Sequence, residues 1–136
     1  MNALLSIALI GLVASGCVPS LAEIHSDEPR QSASFQVPYK ALASCAKEQA
    51  QTQEWKISNA VMIESIEGAT STRLFASVYS SLARTVLFEM TFLPAPQGIT
   101  LVEYRDPWPS DATYAQAWPI IERCAQNTTG KATPAR

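Results

Sequence analysis

Three cysteines, one histidine and a scatter of carboxylates are the residues of this chain whose types could support chemistry. Cys17, Cys45 and Cys124 stand far apart. The Cys-x-x-Cys spacing of a dithiol redox centre is missing. A metal site on Cys45 and Cys124 lacks further ligands, because the one histidine, His25, is distant in sequence. His25 also lies in a polar stretch without apolar periodicity, where nothing would hold it for a Ser-His-Asp triad. Glu89 and Glu103 fall on adjacent predicted strands, the placement that a glycosidase pair requires. Arg73 and Arg105 share their predicted face, however, and cross-strand ion pairs explain these carboxylates as well. The five glycines are scattered and form no phosphate loop. No catalytic residue, metal or cofactor is assigned, and the chain is expected not to be an enzyme.

The address is more legible than the activity. Leu4 to Cys17 reads LLSIALIGLVASGC. Its apolar run is shorter than the roughly 20 residues of a membrane-spanning helix, and it closes on small residues. With Ala14-Ser15-Gly16 before Cys17, the stretch resembles a bacterial lipoprotein signal ending in a lipobox. Two departures from that pattern are Ala14, where Leu is the stronger choice, and the absence of Lys or Arg from Met1-Asn2-Ala3. The competing readings are an ordinary signal peptide or a buried N-terminal helix. The resemblance implies cleavage before Cys17, diacylation of its sulfur and acylation of the freed amine. Val18 follows the cysteine where Asp would signal inner-membrane retention. The implied location is therefore the periplasmic face of the outer membrane, with the lipid as the membrane contact.

An acylated Cys17 leaves Cys45 and Cys124 as an even pair in an oxidising compartment. A bridge between them would close a loop of roughly 80 residues, worth about 4 kcal/mol in the chain-entropy model. The alternative is two buried thiols. The formal net charge is −2 and no basic stripe is present, which argues against a nucleic-acid partner. The expected organisation is a signal peptide over 1–16, the lipidated cysteine and a flexible tether over 17–34, one domain over 35–127, and a disordered tail over 128–136.

Periodicity supplies the elements that position these residues. Pro38 opens a helix in which Tyr39, Leu42, Ala43, Ala46 and Ala50 keep helical spacing, ending near Thr52. Strands follow over 60–67, 72–79, 85–93 and 99–105. In the third, alternation assigns Val86, Phe88, Met90 and Phe92 to one face and Leu87 to the other. Ser110 or Asp111 can cap a last helix carrying Tyr114, Ala117, Trp118, Ile121, Cys124 and Ala125. Pro119 should kink or restart it. The predicted fold is α+β in two layers: helix, four-stranded antiparallel meander, helix, with both helices on one sheet face. That arrangement brings Cys45 and Cys124 together.

The opposite sheet face carries Phe75, Tyr79, Leu87 and Leu101 among charged residues, more apolar than solvation alone requires. It could bind a partner or a ligand, or be covered by the tether. Trp108 lies between prolines in a loop, either exposed or folded back on the core. From Phe35 to Gln126 the layout is similar to small proteobacterial lipoproteins of unknown function, through Val37-Pro38, Cys45, Trp118 and Cys124; this resemblance implies no known activity. The leading expectation is a lipid-anchored binding or assembly module acting on a protein partner in the cell envelope. The alternative is a carrier holding a lipid or apolar ligand between helices and sheet, and an enzyme comes last.

Overall fold

The computed structural model describes residues 19–129. Cys17, the signal segment and residues 130–136 of the expected tail lie outside these. The fold is α+β, and an antiparallel sheet forms its centre. The elements are α1 Leu21–Ser26, β1 Gln31–Phe35, α2 Tyr39–Thr52, β2 Val61–Glu67, β3 Thr72–Tyr79, β4 Arg84–Ala95, β5 Ile99–Arg105 and α3 Asp111–Thr129. The sheet order is β1-β5-β4-β3-β2, every pair antiparallel. The predicted four-stranded meander is there, and a fifth strand joins it.

That strand and α1 stand, from residue 19 on, in place of the flexible tether expected over 17–34. Helix α1 forms because Ser20 and Glu23 make a capping box. Ser20 Oγ accepts from the Glu23 N–H at 3.2 Å, and Glu23 Oε2 accepts from the Ser20 N–H at 2.6 Å. Strand β1 then pairs with β5 from Gln31↔Tyr104 to Phe35↔Thr100. Ala33 and Phe35 pack against the core while Ser32 and Ser34 face solvent. The domain thus starts before residue 35. It also reaches past 127, because α3 runs to Thr129.

Helices α2 and α3 pack side by side on one sheet face. Alanines 43, 46 and 50 keep the contact surface of α2 small and let its backbone approach the sheet. Between the layers Trp55, Phe88, Tyr104, Tyr114 and Trp118 interlock, with neighbouring ring centroids 5.3–6.5 Å apart. Phe88, Met90 and Phe92 are fully buried there, as alternation predicts. Helix α3 is capped by Ser110, whose Oγ accepts from the Thr113 N–H at 3.2 Å. The helix continues through Pro119 without the expected restart. The carbonyl that Pro119 leaves unbonded belongs to exposed Ala115, where water can satisfy it. Buried Trp118, Ile120 and Ile121 hold the helix in place on either side.

One strand departs from simple alternation. The β3–β4 register shifts between Ala76 and Ser77: Ala76 faces Phe88, but Ser77 faces Val86. Leu87 is therefore the extra residue of a bulge. The bulge exchanges the faces predicted for its neighbours. Leu87 packs against the main core, and Val86 turns to the opposite face, beside Phe75 and Ile24.

Candidate functional site

The residues best placed to act together lie on the sheet face away from α2 and α3, beneath α1. Glu89 on β4 is the centre. It is fully buried, yet both its oxygens are partnered. Arg73 on β3 donates to Oε2 at 2.6 Å, His25 on α1 meets Oε1 at 2.7 Å, and the Thr91 hydroxyl donates to Oε1 at 2.9 Å. Burial alone would raise the Glu89 pKa. The hydrogen bonds from Arg73, His25 and Thr91, with the Arg73 charge, outweigh it and hold the carboxyl below its ordinary range. Glu89 is thus an anion inside the fold.

The same contacts fasten α1. Arg73 Nη2 also donates to the Leu21 carbonyl at 3.1 Å. At the far end, Arg105 Nε donates to the Asp27 carbonyl at 2.7 Å, while its Nη2 donates to Glu103 at 2.7 Å. Between these clips Ile24 is fully buried against Phe75 and Val86, with Leu21 alongside. One apolar plug and two arginine clips therefore bind a six-residue helix that could not persist alone.

The carboxylates Glu89 and Glu103, read from the sequence as adjacent on the sheet, are taken up in ion pairs. Each is engaged by its own arginine, Glu89 across strands and Glu103 along β5. His25, expected to lie unpositioned in a tether, is oriented by Glu89 instead. A carboxylate-held imidazole could serve a nucleophile as base. Among the described residues, however, no hydroxyl or thiol hydrogen-bonds to His25, and the pairing holds α1 in place. Burial, reinforced by the Asp106 charge, pushes the pKa of the Tyr104 phenol far up. Among the described residues no cluster of three or more His, Cys, Asp or Glu could hold a metal ion.

The remaining sequence-derived positions separate. Cys45 on α2 and Cys124 on α3 stand at disulfide distance, with sulfurs 2.07 Å apart and Cα atoms 5.8 Å apart. Cys17 lies outside the described residues. Phe75, expected at an open docking face, is 3% exposed: Ile24 covers it, and the Arg84 guanidinium lies 4.8 Å from its ring centroid. Leu87 has moved to the core side through the bulge, and Leu101 is half-buried beside β1. Tyr79 remains about half exposed, its hydroxyl donating to Glu64 at 3.1 Å. Trp108 is 56% exposed. Its loop is pinned at the base by Asp106, which accepts from Arg30 at 2.8 Å and from the Ser110 N–H at 3.2 Å. Arg30 also pairs with Asp111 and lies over the Tyr114 ring.

Sequence reasoning missed α1 and His25. The Ser20-x-x-Glu23 signature followed by Ile24 was the signal that could have found them. Among the described residues no helix is long and apolar enough to cross a membrane. No protein-family model and no curated relative matches the chain.

Proposed function

We propose that the chain is a lipoprotein of the outer membrane, anchored through Cys17 at the periplasmic face, whose domain is a non-catalytic binding or assembly module for a protein of the cell envelope. The lipobox-like Ala14-Ser15-Gly16-Cys17 supports the anchor. The observation that carries the binding role is Trp108. An aromatic side chain more than half exposed sits on a loop whose backbone is braced by two prolines and the Asp106 contacts, so docking it costs little backbone entropy. The carrier alternative draws less support, because Trp55, Phe88, Tyr104 and Trp118 fill the middle of the space between helices and sheet.

The test uses acylated protein cross-linked in intact cells. Wild type is expected to capture a defined envelope protein, and Trp108→Ala to lose it with an unchanged melting temperature. The same capture by both proteins counts against the reading. Labelling with a palmitate analogue that is equal in wild type and Cys17→Ser counts against the anchor.

A further inference from the structure

Helix α1 determines where the chain leaves the domain toward Cys17. Its first carbonyl, Leu21, is held by Arg73 on β3, and Asp27 beyond its end is held by Arg105 on β5. The helix therefore crosses the sheet from the β3 side to the β5 side, and its start lies toward β2. The cross-strand neighbour of Arg73 is Ile66 on β2. Only four residue steps separate Leu21 from Cys17, a reach of at most about 14 Å. A lipid on Cys17 must therefore attach within that reach of the start of α1.

Exposed apolar side chains line β2 beside this start and continue to the β3–β4 turn at the other end of β3. Met62 and Ile66 lie about half exposed on β2, Tyr79 reaches across from β3, and Leu82 is 95% exposed at the tip of the β3–β4 turn. Met62 and Ile66 flank Glu64, whose cross-strand partner is Phe75, so all three belong to the face on which α1 lies. Glu64 leaves no bare charge in the stripe: Arg84 pairs with it at 2.5 Å and the Tyr79 hydroxyl donates to it. Strand β2 is the last in the sheet, and no other strand among the described residues pairs with its outer edge.

We propose that this stripe is the surface on which the domain rests against its own bilayer, with Met62, Ile66, Tyr79 and Leu82 at the level of the lipid headgroups. The proposal rests on the reading of Cys17 as lipidated. A stripe this narrow would hold a free protein on a membrane weakly. Beside an anchor a few residues away the contact is intramolecular, and the effective concentration of lipid is high. Tyrosine suits the interface because its ring is apolar and its hydroxyl is polar.

The experiment places photoreactive benzoylphenylalanine at Met62, Ile66 or Leu82, and at Arg123 or Gln126 on the helix layer as controls. Acylated protein is reconstituted into vesicles of phosphatidylethanolamine and phosphatidylglycerol and irradiated. Phospholipid adducts are expected to be several-fold more abundant from the stripe than from the controls. Equal yields at all positions overturn the proposal, as do adducts from the stripe to a protein in place of lipid in intact cells. The intact mass of the same preparation separates two failures. An acylated chain without lipid adducts at the stripe refutes the bilayer contact alone, whereas an unacylated Cys17 removes the anchor and the contact together.

Discussion

Replacing Glu89 by Ala tests whether its buried cluster holds the second sheet face together. The substitution removes three hydrogen bonds and leaves the Arg73 guanidinium without its counter-ion in a site where its side chain is only 20% exposed. Breaking a buried pair from one side costs about 3–5 kcal/mol. The residual access of Arg73 to water and the half-exposed position of His25 set the cost near the lower end, about 3 kcal/mol. For a domain of this size that lowers the melting temperature by about 15 °C. Urea titration and thermal melts followed by circular dichroism at neutral pH measure it. The pH dependence gives a second reading. Glu89 has a lowered pKa in the folded state, so the stability it contributes is present above its unfolded pKa and is lost as pH falls through the folded one. The difference between wild type and Glu89→Ala should therefore shrink on acidification below about pH 4. A loss under 1 kcal/mol at neutral pH, or a difference indifferent to acid, would refute the reasoning.

Phe88→Ala, deep between the layers, should cost about 3–5 kcal/mol by chemical denaturation, and a smaller loss would mean that the site collapses around the gap. Phe75→Ser should now destabilise the domain, because Ile24 covers Phe75, while Tyr79→Ser should shift the melt by little; equal effects would place α1 off the sheet. Replacing Cys45 and Cys124 together by Ala should lower stability by at most about 4 kcal/mol. Two free thiols on alkylation of purified wild-type protein would mean that the pair is not bridged.

The parts legible in the sequence were those where periodicity and burial coincide. Leu42, Ala46 and Ala50 mark α2 at helical spacing, and Phe88, Met90 and Phe92 mark β4 by alternation, so the two layers followed and with them the meeting of Cys45 and Cys124. Alternation also put Arg73, Glu89, Glu103 and Arg105 on one face. It could not reveal the Leu87 bulge, because an inserted residue leaves composition unchanged and only the strand register records it. Helix α1 is too short to show an apolar period, and β1 presents only Ala33 and Phe35 to the core between serines. Both owe their structure to partners far along the chain: α1 to Arg73, Glu89 and Arg105, β1 to β5. His25 therefore looks unplaced from sequence alone, and Phe75 looks open because its cover, Ile24, lies in a stretch without apolar period.

The pairing of β1 with β5 bears on the order in which the domain can assemble. Gln31 must wait for Tyr104, so the earliest strand to be synthesised has no place in the sheet until the last one exists. The meander from β2 to β5 can zip through local hairpins, but joining β1 to it closes a long loop, the kind of contact that slows folding. Until then β5 is a bare edge with unpaired amides and carbonyls, open to strands of other molecules. A chaperone that shields β5, or a delay that keeps the chain unfolded until its C-terminal third has emerged, would protect the same few residues that β1 finally covers.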